Sequence, residues 1–258
     1  MSIENEDVVL HTARDTPANE EAKSSNESKV PLKKFFAEVI GTSCLTYIAC
    51  GTAAVSGSYT QIFLSFGLTI VAMAYSIGNI SGCHINPAVS LAMLIRKKIN
   101  LITFLWYILG QIVGAIIGTV LLGLCLRGKY QTLGATSIQP ILYKNSAEKY
   151  EKDAWSYVSA FLLEIFLTFI FVLAICGVTD SKKQDGKHAG IVIGFSLALV
   201  ISSGGNLTGP SVNPARSLAP AIFETIDGSK EPIKEIWIFI LAPLIGGACA
   251  GLVYDLLV

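Results

Sequence analysis

Two Asn-Pro-Ala triplets stand in the sequence, one in each half of the chain, inside stretches that are otherwise apolar. They are Asn86, Pro87 and Ala88 in "HINPAVSLAM", and Asn213, Pro214 and Ala215 in "SVNPARSLAP". Asparagine is a favoured helix N-cap, and proline suits the first helical position because the N–H it lacks would have no partner there. We predict that each triplet starts a helix and offers amide N–H donors to a neutral molecule.

Arg216 lies one turn inside the second of these helices, where the first helix has Val89 at the matching place. The helix dipole disfavours a cation near a helix N-terminus, and an arginine at membrane depth is costly. Such an arginine normally marks a solute pathway. A structural salt bridge is the alternative.

The rest of the chain supplies an apolar scaffold for these residues. Of its 258 residues 52% are hydrophobic and 15% are charged, against about 25% charged in soluble domains. Six apolar segments reach the roughly 20 residues that cross a bilayer. They lie near 34–54, 61–80, 101–124, 156–177, 189–205 and 234–256. The sequence therefore predicts a multi-pass membrane protein, and its net charge of zero argues against a nucleic-acid partner.

Outside the apolar segments we predict a disordered cytoplasmic tail at 1–33, because its first 30 residues are polar and acidic. The six cysteines and three histidines lack the spacing of a metal site, so we expect no metal and no cofactor. No nucleophile–base pair stands out either, which argues against an enzyme.

The segment order predicts an internal repeat. Each triplet opens an apolar stretch of about half the spanning length, at 86–96 and 213–223, which predicts a re-entrant half-helix. Span, span, half-helix and span occur in residues 34–124 and again in 156–258, joined by a loop at 125–155. Three spans is an odd number, so the second repeat enters from the opposite face. The predicted fold is an all-α membrane protein with six transmembrane helices and two re-entrant half-helices in an inverted repeat.

The basic residues of the short loops predict the orientation. They fall on one side of the six-span arrangement, which the positive-inside rule makes cytoplasmic. These residues are Lys29, Lys33, Lys34, Arg96, Lys97, Lys98, Lys182, Lys183 and Lys187. Both termini are then cytoplasmic, and loop 125–155 is extracellular. The inverted symmetry brings Asn86 and Asn213 together near the midplane, where two helix dipoles repel cations, hydronium included.

Within the third span, Gly110, Gly114 and Gly118 follow the small-xxx-small spacing. This helix is therefore predicted to approach a neighbour closely. Gln111 beside them is predicted to form a hydrogen bond between helices.

From residue 34 to 256 the sequence resembles the aquaporin (major intrinsic protein) family. The resemblance rests on "SGCHINPAVSLAM", "TGPSVNPARSLAPA", the repeated glutamates Glu38 and Glu164, and the closing "APLIGGACAGLVYDLL". It implies one pore in each subunit, a homotetramer, and water, small neutral solutes and membrane lipid as partners. We expect the plasma membrane rather than an internal membrane.

The resemblance also assigns roles to single residues. It implies a narrow selectivity filter made of Phe66, Ile201, Pro210 and Arg216. Glu38 and Glu164 would brace the re-entrant loops. For Glu38, an interfacial ion pair with Lys34, one helical turn away, is the alternative.

Two histidines are further candidates. The resemblance places His84, two residues before Asn86, at the cytoplasmic vestibule, and a simple loop contact is the alternative. His188 follows basic residues in a loop, where a side chain that titrates near neutral pH could move a gate, as in some plant relatives. A solvated loop is the alternative for His188.

The filter residues leave two functions open. Strict water channels of the family place a histidine where Ile201 stands, so a less polar ring would also admit ammonia, urea or glycerol. Phe66, Ser217, Ala221 and Phe239 instead fall on the water-channel side of the family pattern. The leading hypothesis is a passive water channel that excludes protons and ions, and the alternative is a broader neutral-solute facilitator. A secondary transporter is disfavoured, because only Glu38 and Glu164 are acidic within the spans.

Overall fold

The computed structural model describes residues 31–128, 132–146, 149–180 and 186–258. The predicted tail at 1–33 lies outside the described residues, apart from 31–33. Lys29, Lys182 and Lys183, which support the predicted orientation, lie outside them as well.

Helices make up most of the described chain. In chain order they are α1 (Leu32–Cys44), α2 (Gly51–Val55), α3 (Tyr59–Ser81), α4 (Pro87–Ile95), α5 (Leu101–Cys125), α6 (Ala154–Val178), α7 (Ala189–Thr208), α8 (Pro214–Ile226) and α9 (Glu231–Leu257). A π-helical stretch at Leu45–Cys50 joins α1 to α2 into one continuous segment. Among the described residues six segments are long and apolar enough to cross a membrane: Leu32–Val55, α3, α5, α6, α7 and α9. The predicted six-span fold is confirmed.

The outer surface of the helices is apolar. Large hydrophobic side chains on several spans, among them Leu68, Leu105, Phe166 and Leu199, are more than half exposed. Many polar side chains are instead buried inside, among them Glu38, Gln111, Glu164 and Arg216. This arrangement suits a lipid environment, because backbone polar groups are satisfied within each helix and large apolar side chains meet the hydrocarbon.

The two half-helices α4 and α8 start where the sequence predicts. Asn86 caps α4 by accepting a hydrogen bond from the Ala88 N–H at 2.8 Å, and a proline follows each cap. Asn213 caps α8 by accepting from the N–H groups of Ala215 and Arg216 at 3.1 and 3.2 Å. Helix α8 ends at Ile226, later than the predicted 223. Pro220 lies inside this helix without ending it.

Glycines let the helices pack at short range. A Cβ added at Gly110 would lie 2.9 Å from the Phe35 carbonyl oxygen, and one at Gly114 would lie 3.0 Å from the Val39 Cα. Helix α5 therefore packs directly on the backbone of α1, as the glycine spacing predicts.

The two repeats pack in equivalent ways. Helix α1 packs on α5 in the first repeat, and α6 packs on α9 in the second. Each half-helix also contacts the last span of the other repeat: α4 lies on α9, and α8 lies on α5. A Cβ added at Gly247 would lie 2.6 Å from the Ala88 carbonyl oxygen, so α9 has room for α4 only because glycine stands there. These exchanged contacts join the repeats around the half-helices.

The connection between the repeats contains a short β-hairpin that the all-helical prediction lacks. Strands β1 (Lys144–Ser146) and β2 (Lys149–Glu151) pair antiparallel, and a 3-10 turn at Pro140–Leu142 precedes them. Strands this short carry too little alternation of apolar and polar residues to be recognised. The hairpin leads into α6, whose N-terminus is closed by a capping box between Asp153 and Ser156.

Candidate functional site

The N-termini of α4 and α8 meet inside the protein. The Asn86 Nδ2 donates to the Val212 carbonyl oxygen at 2.7 Å, and the Asn213 Nδ2 donates to the Ile85 carbonyl oxygen at 2.8 Å. Each asparagine thus caps its own half-helix with its oxygen and holds the loop before the other half-helix with its nitrogen. The structure brings both predicted Asn-Pro-Ala triplets to one point.

The residues that supply these carbonyl groups have an uncommon backbone conformation. Ile85 has φ of 41° and Val212 has φ of 44°. A positive φ is a genuine outlier for a β-branched side chain, and it persists only where the surroundings impose it. Nothing in the one-dimensional pattern marks these positions, so the sequence analysis missed them.

Glu38 supplies part of that restraint for the first loop. Its Oε1 accepts from the Ser81 hydroxyl at 2.6 Å and the His84 N–H at 3.0 Å. Its Oε2 accepts from the Ile85 N–H at 2.6 Å and the Gln111 Nε2 at 2.7 Å. Since Glu38 is fully buried, its carboxylate is the structural centre of the loop that precedes α4.

Glu164 does the same in the second repeat. One carboxylate oxygen accepts from the Thr208 hydroxyl at 2.8 Å and the Ser211 N–H at 3.0 Å, and the other accepts from the Val212 N–H at 3.0 Å. Glu164 is also fully buried. The two glutamates therefore sit under equivalent loops, the arrangement that the resemblance implies for them.

A polar chain extends from Glu38 to His84. The Gln111 Nε2 donates to the Ser90 hydroxyl at 2.9 Å, and the His84 Nδ1 lies 3.1 Å from the same hydroxyl. The imidazole packs edge-on against Tyr107, with ring centroids 4.9 Å apart. His84 is thus held on both sides, and its ring borders two neighbouring cavities.

The first cavity lies where the half-helices meet. Its volume of about 10 Å³ is about the space that one water molecule needs. Polar groups of Asn86, Asn213 and Arg216 line it together with Phe66 and His84. The remaining lining is mostly apolar: Leu45, Ile70, Ile85, Phe171, Leu197, Ser211 and Val212. The site is a narrow cavity with a few polar groups in a mostly apolar lining.

Arg216 is 3% exposed and lies against this cavity. Its guanidinium carbon is 5.0 Å from the centre of the Phe66 ring, within cation–π range. Its Nη1 donates to the Gly134 carbonyl oxygen at 2.9 Å. The buried Nε has no hydrogen-bond partner among the described residues. Within the described chain these contacts take the place of the salt bridge that the sequence leaves open.

The other two predicted filter residues are buried and are not among the residues that line this cavity. Ile201 belongs to the same apolar cluster as Phe66, and Pro210 packs close to Gly204. Among described residues, Leu197, one turn before Ile201, lines the cavity from α7. The assignment of Ile201 and Pro210 to the filter stays a prediction.

A second, wider cavity adjoins the first. Its volume is about 150 Å³, and it shares Ile70, His84 and Phe171 with the narrow one. The two cavities therefore adjoin at these three residues.

His188 is exposed and lines neither of the two cavities. It precedes α7 as an exposed N-cap residue without a side-chain capping bond. The neighbouring Lys187 carbonyl oxygen accepts from the Tyr75 hydroxyl at 3.0 Å, which ties this loop to α3. The gating role of His188 stays a prediction.

Comparison with known proteins gives the family of the chain. The profile of the family described as Major intrinsic protein matches residues 24–254. The chain belongs to the major intrinsic protein family. Members are channels, not enzymes, and this chain is an integral, multi-pass membrane protein. In this major intrinsic protein the described residues contain no cluster of His, Cys, Asp or Glu able to hold a metal ion.

Relatives with different names match the chain over most of its length. Aquaporin Z of Bradyrhizobium diazoefficiens is 34% identical, with 86% of this chain and 92% of the relative covered. The glycerol uptake facilitator protein-like 6 of Lactiplantibacillus plantarum is 36% identical, with 85% and 95% covered. The X-ray structure of the aquaglyceroporin from Plasmodium falciparum matches with a TM-score of 0.76 at 24% identity, covering 87% of this chain and 96% of that one. The last match supports the fold.

The sequence analysis missed the loop that covers Arg216. Residues 132–139 contact α8 through the Thr136 hydroxyl, which donates to the Ser217 hydroxyl at 2.9 Å. The Ser217 hydroxyl donates in turn to the Ser211 hydroxyl at 2.7 Å. Ser217 directly follows Arg216 in the sequence. Hydroxyl residues beside a motif are too common, however, to predict this series of hydrogen bonds.

Proposed function

We propose that this major intrinsic protein is a passive, bidirectional water channel that excludes protons and ions. The observation that carries the proposal is the cavity of about 10 Å³ between the half-helices, lined by Asn86, Asn213, Phe66 and Arg216. A passage of this size takes water in single file.

The asparagines would orient the water. An asparagine amide has two N–H donors, and each asparagine uses one of them across the junction. The second donor can bind the oxygen of a water molecule at the midpoint of the path. A water held by its oxygen from both asparagines cannot accept a proton from a neighbouring water at the same time.

The charges at the site oppose the passage of cations. Helices α4 and α8 both point their N-termini at the junction, and each terminus carries about half a positive charge. The buried guanidinium of Arg216 adds a full charge beside the same cavity. Hydronium and metal cations would therefore meet a barrier that neutral water does not meet.

A broader neutral-solute facilitator, for ammonia, urea or glycerol, is the second candidate. Its support is the apolar lining, in which Leu45, Ile70, Phe171 and Leu197 stand beside the polar groups in one cavity. One relative of similar identity is named a glycerol uptake facilitator protein-like 6. Apolar walls accept the carbon skeleton of a solute, while Arg216 and the asparagines bind its hydroxyl or amide groups.

The proposal also covers the membrane, the oligomeric state and the orientation of the channel. We place the channel in the plasma membrane as a homotetramer, with both termini cytoplasmic and loop 125–155 extracellular. The basic pair Lys97 and Lys98, exposed after α4, supports this orientation.

Permeability measurements test the proposal. The purified protein is reconstituted into liposomes, and volume changes are followed by stopped-flow light scattering against sucrose, glycerol, urea and ammonium gradients. Water permeability well above that of empty liposomes, with slow glycerol and urea entry, is the expected result. Fast entry of glycerol or urea would favour the facilitator, and permeability equal to that of empty liposomes for every solute would reject both functions.

A further inference from the structure

Glu224 is a buried carboxylate on α8 that lies outside the lining of the narrow cavity. It is 6% exposed. Its Oε1 accepts two backbone N–H groups, from Leu133 at 2.7 Å and from Ala135 at 3.0 Å. Both donors belong to loop 132–139, and they flank Gly134. Glu224 therefore binds the loop on both sides of Gly134.

Gly134 is the residue that contacts Arg216. Its carbonyl oxygen accepts from the Arg216 Nη1 at 2.9 Å, and its φ is +75°, a conformation that favours glycine. A Cβ at this position would lie 3.1 Å from the Cys50 Cα. The Gly134 Cα thus lies close against the end of the π-helical stretch, where no larger residue would fit.

One peptide group joins the two charged side chains. The Gly134 carbonyl and the Ala135 N–H belong to the same planar unit and point in opposite directions. The Glu224 carboxylate binds the N–H edge of this unit, and the Arg216 guanidinium binds its C=O edge. Hydrogen bonds in such a chain polarise one another.

We propose that Glu224 is a positioning residue for Arg216, which through the Gly134–Ala135 peptide group sets where the guanidinium lies in the passage. The inference rests on the proposed channel function. By holding the guanidinium in place, Glu224 controls the width and polarity of the passage and so its discrimination between water and larger neutral solutes. The residue acts through the peptide group and does not touch the solute.

A second carboxylate on the same loop provides a matched control. Glu235, 1% exposed, accepts the Ile138 N–H at 2.8 Å. It also pairs with Lys152. Glu235 thus braces loop 132–139 without binding the Gly134–Ala135 peptide group. Replacing either glutamate would loosen loop 132–139. Only the replacement of Glu224 would also displace the Arg216 guanidinium.

The test compares Glu224→Met, Glu224→Gln and Glu235→Met in liposomes. Methionine has a similar length but no oxygen acceptor, whereas the glutamine amide oxygen can still accept both N–H groups. We expect Glu224→Met to raise the ratio of glycerol to water permeability about tenfold, as ~1.4 kcal/mol of barrier would. Glu224→Gln and Glu235→Met should stay within about twofold of the wild type. An unchanged ratio in Glu224→Met, or an equal rise in Glu235→Met, overturns the proposal.

A double-mutant cycle tests the same link without transport. Unfolding is followed in an SDS titration for Glu224→Met, Arg216→Val and the pair, and again with Glu235→Met in place of Glu224→Met. For Glu224→Met with Arg216→Val, we expect the unfolding equilibrium constant of the double variant to differ about fivefold or more from the additive value. For Glu235→Met with Arg216→Val, we expect the two effects to be additive. Additivity in the first pair overturns the proposal. If Glu224→Met does not fold, Glu224→Leu takes its place in the cycle, because leucine also lacks an oxygen acceptor, and the same departure of about fivefold or more from additivity is expected.

These readouts separate the two ideas. A wild-type protein that conducts neither water nor solutes rejects the proposed function. The cycle still decides, in that case, whether Glu224 holds Arg216.

Discussion

Asn86 and Asn213 hold the two half-helices together by reciprocal hydrogen bonds. The Asn86 Nδ2 donates to the carbonyl of Val212, and the Asn213 Nδ2 donates to the carbonyl of Ile85, at 2.7 and 2.8 Å. Each amide therefore serves both repeats, since its oxygen caps its own half-helix. The junction is a single unit, and changes on its two sides should not be independent.

Replacing either asparagine by alanine tests this dependence. Each change removes an N-cap, which costs about 1 kcal/mol, and leaves a buried carbonyl unpaired, which costs about 1–3 kcal/mol more. The double variant Asn86→Ala/Asn213→Ala should lose less free energy of unfolding than the two single losses together, because one change already loosens the junction. SDS titration of the purified proteins measures these free energies, and additivity within about 0.5 kcal/mol would contradict the reciprocal arrangement.

The Glu38→Gln variant should be strongly destabilised although it changes few atoms. Both carboxylate oxygens accept from two donors each, so either orientation of the glutamine amide turns its NH₂ group toward N–H or O–H donors. Each orphaned donor costs about 1–3 kcal/mol. Thermal unfolding in detergent checks the loss, with Lys230→Gln, at an exposed position, as the control. Equal unfolding temperatures for the two variants would show that Glu38 does not support the loop.

Arg216→Val should weaken the discrimination against larger solutes. The change removes the charge beside the cavity and the contact with Phe66, so urea and glycerol permeability should rise about tenfold, as ~1.4 kcal/mol of barrier would produce. Stopped-flow assays in liposomes measure the change. Arg127→Asn is the control, because Arg127 is exposed just after α5 and asparagine tolerates its positive φ of 57°. If both variants keep the wild-type permeabilities, Arg216 does not form part of the filter.

Gly114→Ala and Gly78→Ala should differ although the chemical change is identical. The added Cβ at Gly114 would lie 3.0 Å from the Val39 Cα, whereas the one at Gly78 would meet nothing within 4 Å. Overpacking at Gly114 should cost about 1–3 kcal/mol. At Gly78 alanine should be neutral or stabilise by up to about 1 kcal/mol, because glycine weakens a helix interior. SDS titration compares the two, and similar losses would mean that α1 can move away from α5.

The sequence made some features of the fold predictable because they depend on local physics. A span needs about 20 apolar residues whatever its neighbours are, so the six segments could be recognised before any contact was known. The helix starts at Asn86 and Asn213 were predictable for a similar reason, because an N-cap followed by proline acts within one turn. The hairpin at 144–151 has no such local signal, and it was missed.

The candidate site was predictable only in part. The sequence pointed to Arg216 because an arginine in an apolar stretch is costly, and to Glu38 and Glu164 because they recur in the repeats. It could not show that Leu197 lines the narrow cavity, because neighbouring turns of one helix carry similar apolar residues. The filter roles of Ile201 and Pro210, and the gating role of His188, remain predictions.

The sequence by itself determined the class of protein, the number of spans and the residues at which the half-helices begin, since these follow from apolar length and helix capping. Only the tertiary structure decided which carbonyl each asparagine binds, why Ile85 and Val212 adopt a positive φ, and how Glu224 reaches Arg216 through Gly134. These contacts join residues that are distant in the chain, on elements from different repeats and from the loop between them. Their geometry depends on how whole helices pack, and no short stretch of sequence contains that information.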